Sequence, residues 1–460
     1  MNLKTKTYTT LADTLTPVSI YLKLRDLYPK SILLESNLNE KRDKSRSYIC
    51  LNPIASFRAF KTQISLIKNG QPTQLNSSGA DAPKLFSSFL SSINVEGSSV
   101  IDAVFGHTNY EAIEHFETIE LSTKLFDNII PLMHYSFYRF VIAIDHFTNE
   151  MTFTEYLQDG EQSQLRTLIS TVQTIRFNAY TFTSVEEESC FTSSENFLDQ
   201  VKTAKQACKD GNIFQIVISR RFKQKFKGDE FQVYRSLRSI NPSPYLYYFD
   251  MGSYKIFGSS PEAQIKINDG KAIINPIAGT YRRTGNNKED EVLAATLKKD
   301  PKENSEHVML VDLARNDLGR VSHNITVKSF KEIHYYSHVI HMVSEVQGEL
   351  PANYDPIHVM GQSFPAGTLS GAPKYRAIQL IDKLEPVSRN YYGGGIGFIE
   401  LNGNLNHAII IRSFFSQNNE LHYQAGAGVV VGSKPKNELD EIDNKVDALR
   451  MAIKKAADIQ

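Results

Sequence analysis

The chain has 460 residues, 41% apolar and 22% charged, with 51 basic against 51 acidic side chains and so no net charge. That composition is ordinary for a soluble globular protein and long enough for two to three average domains or one large α/β body. It argues against nucleic-acid and membrane partners: the densest basic run, 41–46, is short and interrupted by Asp43, and no stretch approaches the length of a membrane span. The first residues lack the apolar core of a signal peptide, and Cys50, Cys190 and Cys208 are odd in number with no CxxC spacing, so a cytoplasmic protein with reduced thiols is expected.

In chain order, residues 31–35, 54–60 and 137–145 read as strands with helices between them, and 41–46 as an exposed loop. Glu111, Glu114, Glu117 and Glu120 step by three around Ile113, Phe116 and Ile119, which predicts a solvated helix face. The stretch TFTSVEEESCFTSSEN at 181–196 is rich in Ser, Thr and Glu. It marks a boundary between a first part, 1–190, that reads as scaffold or regulation, and a strongly patterned second part, 191–460. There an amphipathic helix at 195–210 precedes strands at 213–222 and 245–250.

Two carboxylate pairs in the second part carry i,i+3 spacing: Glu303 with Glu306, and Glu438 with Glu441. On a helix, Glu306 projects between Leu310 and Leu313 in an apolar stripe, and Glu438, Glu441 and Lys445 border the stripe of Ile442, Leu449 and Ile453. A carboxylate in such surroundings needs a hydrogen bond, an ion pair or a cation, which leaves a hard-metal site and structural pairs such as Glu441 with Lys445 both open. Asp300-Pro301-Lys302-Glu303 also reads as N-cap, N1 proline and N3 acid. The loop FPAGTLSGAPK at 364–374 leads into a predicted helix at 374–383 whose N-terminus suits either an anion or an ordinary cap. GGGIG at 393–397 and Gly426-Ala427-Gly428 do not complete GxGxxG; they suit sharp bends or close approach of a small ligand to the backbone.

Together with PIAGT at 276–280, SEHVMLVDLARND at 305–317, FPAGTLSGAPK at 364–374 and QAGAGV at 424–429, these segments resemble the chorismate-utilising enzymes, and within them the synthase component of anthranilate synthases. The resemblance covers the chain from Asn196 onward. It implies an α+β fold, a layered α/β/β/α sandwich of two packed, largely antiparallel sheets with an intimately associated N-terminal regulatory part. It further implies Mg2+ held by Glu306 and Glu441, with Glu303 and Glu438 supporting. The enolpyruvyl carboxylate of chorismate would be held by Tyr392, Arg412 and the backbone of Gly426, Ala427 and Gly428, while Gly279, Thr280, Thr368 and Lys445 complete the pocket. Glu262, in SPE at 260–262, matches the acid that protonates the leaving hydroxyl, and His341, in HMVS at 341–344, matches the histidine linked to ring-proton removal.

Gln215 stands where water-adding relatives carry a lysine base, and Ala278 where 4-amino-4-deoxychorismate synthases carry a lysine nucleophile. The resemblance therefore implies amination at C2 and loss of pyruvate to give anthranilate, in the first committed step of tryptophan biosynthesis. LLES at 33–36 and NPSPYLY at 241–247 resemble the two halves of a tryptophan feedback pocket, with Glu35, Ser36, Pro244, Tyr245 and Leu246 as contacts. No Gly-x-Cys-x-Gly loop is present, so ammonia is expected from a separate glutamine amidotransferase subunit, two of each subunit forming a heterotetramer. The alternatives are a 2-amino-2-deoxyisochorismate synthase, a 4-amino-4-deoxychorismate synthase, or a catalytically inactive chain that binds tryptophan or a partner.

Overall fold

Alternating side chains on one set of strands face two different cores, and that alternation sets the layers. The computed structural model describes every residue except 37–44, 69, 77–80, 128, 175, 337–338 and 460, and the side chains of Asn76 and Thr280. On the adjacent strands Ile32–Ser36, Tyr245–Asp250, Lys255–Ser260 and Ser413–Gln417, residues Leu33, Tyr248, Phe257 and Phe414 point one way. They meet Phe197 and Val201 of helix Ser194–Lys209, Tyr234 and Leu237 of Phe231–Ile240, and Ile442 and Leu449 of Pro435–Ala456. Their neighbours Ile32, Tyr247, Ile256 and Phe415 point the other way, into a core shared with Ile265, Ile396 and Ile409 of a second sheet.

The first sheet runs, by hydrogen-bonded neighbours, Gln215–Gly228, Glu420–Val429, Ser413–Gln417, Lys255–Ser260, Tyr245–Asp250, Ile32–Ser36, Arg46–Ala59 and Met133–Asp145. The second runs Ala103–Thr108, Gly395–Glu400, Leu405–Ile409, Ala263–Asn268, Lys271–Ile274 and Val339–Glu349; the last of these also pairs with Ile277–Arg282 and His323–Tyr335. Ala103–Thr108 also pairs with Met133–Asp145, which joins the two sheets. Among the described strands the one parallel ladder is Asn2–Leu11 with Asn94–Glu96. Helices Pro301–Gly319 and Pro356–Ser363 cover the second sheet through Val311 and Ile357, and Ala82–Ser91 packs Phe86 against Phe57 and Tyr135 where Arg46–Ala59 and Met133–Asp145 pair. The result is the α+β, helix–sheet–sheet–helix arrangement expected from the sequence.

Strands from before and after residue 190 share both sheets, and the expected boundary holds Phe182–Ser184 and Ser189–Cys190, both paired with Gln215–Gly228. Of the basic run 41–46, residues 41–44 lie outside the described residues, Ser45 is buried and Arg46 opens a strand. No helix among the described residues is long and apolar enough to cross a membrane.

The acids at 111–120 correct one expectation. They do not line a solvated α-helix: Tyr110–His115 is a 3-10 helix, and Glu111 accepts hydrogen bonds from the backbone N–H groups of Arg389 (2.7 Å) and Asn390 (3.1 Å). Glu114 takes Lys61 Nζ at 2.8 Å and the N–H of Leu121 at 2.9 Å, and Glu117 pairs with Arg320 at 2.7 Å. Their partners are 7 to 279 residues away, beyond the reach of helical spacing.

Candidate active site

Asp300 caps the helix Pro301–Gly319 by accepting from the N–H groups of Lys302 (2.9 Å) and Glu303 (3.2 Å), with Pro301 opening the helix. The Asp300 N–H that an N3 acid accepts in a capping box goes to the Leu297 carbonyl at 3.3 Å, and the Glu303 carboxylate lies beside Gly279. A Cβ built on Gly279 would lie 3.2 Å from Glu303 Oε2 and 2.6 Å from Leu297 Cδ1, and its φ of +70° is one that glycine adopts without strain. One helical turn on, Glu306 Oε1 accepts a long bond, 3.4 Å, from Gln215 Nε2. From the other helix Glu441 pairs with Lys445 Nζ at 2.6 Å, and the same Nζ donates to the Gly426 carbonyl at 2.8 Å; Glu438 is buried one turn before.

The four acids repel one another across the gap between the helices. Burial and then the charge of Glu306 raise the Glu303 carboxyl above its ordinary range, and Glu441 adds to the effect. Glu438 is raised by burial and by Glu441. Among the described residues no three His, Cys, Asp or Glu side chains are closed around a common point as a ligand set. Oxygen-only donors under mutual repulsion nonetheless match what a hard divalent cation requires.

A glycine-lined wall faces this cluster. Glu420–Val429 runs antiparallel to Gln215–Gly228, with Gly426 opposite Ser219 and Gly428 opposite Val217. A Cβ on Gly426 would meet Val217 Cγ1 at 2.8 Å and Tyr392 Oη at 2.9 Å, and one on Gly428 would meet Gln215 Nε2 at 2.8 Å. Ala427 is fully buried in the helix-side core, so it offers the site only its backbone. Arg412 is held at φ +51°, in the left-handed region, and its guanidinium has no hydrogen bond or ion pair among the described residues; Glu262 is its charged neighbour.

Glu262 is half-buried beside Thr368, whose hydroxyl donates to Glu262 Oε1 at 3.0 Å. Burial raises the Glu262 carboxyl to about 7, against the opposing effects of Thr368, Arg412 and Lys445. His341 donates from Nδ1 to the Gly279 carbonyl at 3.0 Å, which leaves Nε2 the unprotonated nitrogen of a neutral ring. Burial lowers that ring to about 4, so at neutral pH it is a base while Glu262 retains a large protonated fraction. Thr280 pairs across the ladder with His341; its side chain lies outside the described set.

The residues expected to bind tryptophan also meet. Ser36 lies directly opposite Tyr245 and Glu35 opposite Leu246, with buried Pro244 just before the strand. The buried Glu35 carboxylate is occupied by protein: Tyr234 Oη donates at 2.6 Å, and Arg238 at 2.9 Å to each oxygen. Lys374 Nζ is paired with Asp317 at 2.8 Å, so the lysine of the 364–374 loop is not a free anion donor.

Sequence reasoning missed Arg389 and Glu385, a fully buried ion pair at 2.6 Å behind Thr368 and Tyr392. The signal was an arginine three residues before Tyr392, but Glu-x-x-x-Arg is indistinguishable by spacing from a surface pair.

Residues 34–451 match the sequence profile of the chorismate binding enzymes. The chain is 36% identical to anthranilate synthase component 1 of Aquifex aeolicus, covering 98% of this chain and 94% of that one. It is also 36% identical to the protein of that name from Acetivibrio thermocellus, covering 98% and 95%. The crystal structure of anthranilate synthase component I from Streptococcus pneumoniae superposes with a TM-score of 0.79 at 29% identity, over 96% of this chain and 99% of that one. The menaquinone-specific isochorismate synthase of Escherichia coli shares the fold, with a TM-score of 0.74 at 19% identity over 98% and 94%.

Proposed function

The chain belongs to the chorismate binding enzyme family, and from that membership we propose that it converts chorismate and ammonia to anthranilate and pyruvate. The observation that carries this reading is the near full-length similarity to anthranilate synthase components, together with Gln215 and Ala278 at the two positions where lysines would direct other chemistry. Neither an amide nor a methyl group can activate water or attack the ring, whereas ammonia is already a nucleophile.

In this reading Arg412, Tyr392 and the Gly426 to Gly428 backbone bind the enolpyruvyl carboxylate; a guanidinium with no hydrogen bond or ion pair among the described residues is suited to bidentate contact. Glu306 and Glu441 hold Mg2+, with Glu303 and Glu438 supporting, which requires Glu441 to exchange Lys445 for the ion. When bound, the ion supplies a Lewis acid at the ring carboxylate. Glu262, kept partly protonated at neutral pH, donates its proton to the departing C4 hydroxyl, which leaves as water as ammonia adds at C2, and the ammonium so formed returns one proton to the Glu262 carboxylate. His341 then accepts the C2 proton as the C3–O bond breaks; the ring becomes aromatic, and the departing enolate takes up a proton at its methylene carbon to become pyruvate. Thr368 orients Glu262, and Gln215 steadies Glu306.

The same reading includes a cytoplasmic enzyme, a glutamine amidotransferase subunit as ammonia donor in a heterotetramer of two of each subunit, and feedback by tryptophan at Glu35, Ser36, Pro244, Tyr245 and Leu246. The alignment of Ser36 with Tyr245 supports that last element. Incubating the purified chain with chorismate, Mg2+ and ammonium tests the activity. Fluorescent anthranilate is the expected product, and its absence, with isochorismate or an aminated intermediate in its place, contradicts the reading.

A further inference from the structure

One buried cation touches three separate walls of this site. Arg389 is 1% exposed, and its Nε and Nη2 donate to the two oxygens of Glu385 at 2.8 and 2.6 Å. Nη1 donates to the Leu369 carbonyl at 2.6 Å, and Nη2 to the Val217 carbonyl at 2.8 Å. Its guanidinium lies over the Tyr110 ring at 4.6 Å and the Tyr392 ring at 5.7 Å. Glu385 in turn accepts the Ser219 N–H at 2.8 Å and its hydroxyl at 2.6 Å, while the Arg389 N–H is bound by Glu111 at 2.7 Å.

Each contact reaches a different part of the site. Leu369 follows Thr368, which holds Glu262. Val217 and Ser219 lie opposite Gly428 and Gly426, and Tyr392 Oη borders Gly426. A planar fork can fix several acceptors at once because its donors are rigidly spaced; an ammonium on a flexible stem cannot. Burying such a pair contributes little to stability compared with apolar residues of similar volume, so its use here is in geometry.

We propose that Arg389, held by Glu385 and Glu111, is a positioning residue that fixes the spacing between the Thr368 turn, the Gly426 to Gly428 backbone and Tyr392, and thereby the affinity of the cradle for the substrate carboxylate. This rests on the reading of the cradle as the chorismate pocket.

The test compares the parent protein with Arg389→Lys, Glu385→Gln and, as a control for loss of a buried ion pair elsewhere, Arg139→Lys, whose arginine pairs with buried Glu155 at 3.0 Å. The equilibrium Kd for chorismate is measured with Mg2+ and no ammonia, alongside the Tm of each protein. Arg389→Lys should weaken binding about tenfold or more, since displacements near 1 Å at a site carry effects of that size. Glu385→Gln should act in the same direction but less, and Arg139→Lys should leave Kd unchanged at a comparable loss of Tm. An unchanged Kd in Arg389→Lys overturns the proposal, as does a change no larger than that of the control. If both variants of the pair lose their cooperative thermal transition, the pair is a folding element and the proposal is also overturned. A parent that binds chorismate but makes a product other than anthranilate fails the functional reading and leaves the positioning role standing; a parent that binds none overturns both.

Discussion

Replacing Thr368 by valine removes the hydroxyl that donates to the Glu262 carboxylate, at 3.0 Å, while keeping the shape of the side chain. A hydrogen bond to a charged acceptor is worth about 1.5–3 kcal/mol, and 1.36 kcal/mol corresponds to one pH unit, so the Glu262 titration should move by about one to two pH units. The direction is upward, because the lost bond favoured the ionised form. Glu262 must be protonated to act as an acid, so in the parent kcat/KM contributed by this group falls as pH rises past about 7, and in Thr368→Val the fall comes later. The assay is anthranilate formation from ammonium between pH 6 and 9, expressed as the ratio of variant to parent at each pH, which cancels the titration of ammonia itself. That ratio should be flat at low pH and climb through the region above 7. A flat ratio throughout, or one that falls with pH, would refute the assignment of Glu262 as the proton donor.

Other expectations follow from the same geometry. Glu111 has its folded carboxyl raised by burial to about 7 from 4.5, so the folded state binds the extra proton and stability is lost as pH rises from about 4.5 to 7 and stays lost above. Glu111→Gln should therefore gain roughly 1–3 kcal/mol over the parent at pH 8, discounted for partial exposure, and nothing at pH 4; an equal gain at both would show that charge is not the cause. Glu441→Gln should abolish magnesium-dependent turnover while leaving tryptophan binding intact, and unchanged turnover would remove Glu441 from the metal site. Ser36→Phe places a ring opposite Tyr245 and should relieve inhibition by saturating tryptophan; inhibition equal to that of the parent would rule out this strand pair as the feedback pocket.

Local chemistry was legible in the sequence and distant chemistry was not. The cap at Asp300, the helix Ser194–Lys209 and the helix Lys374–Leu384 follow from side-chain spacing and from breakers that act within one turn, and each stands within a residue or two of its expected bounds. The strand 54–60 was expected too short, because its observed range, Arg46–Ala59, is set by pairing with Met133–Asp145, whose partner residues lie 74 to 99 positions away. The acids at 111–120 misled for the same reason: the N–H groups that bind Glu111 belong to a turn almost 280 residues on. Arg389 shows the limit most clearly, since burial converts an ordinary Glu–Arg spacing into a hub, and burial is a property of the whole fold. The site residues named from the family resemblance converge from several elements, but that convergence rested on motif identity and no local pattern predicted it.

The most direct test of the functional account is the stoichiometry of products formed from chorismate by the pure chain with Mg2+ and ammonium. Anthranilate and pyruvate in equal amounts are expected. Chorismate consumed without pyruvate, or pyruvate released alongside an isomer of anthranilate, would contradict it.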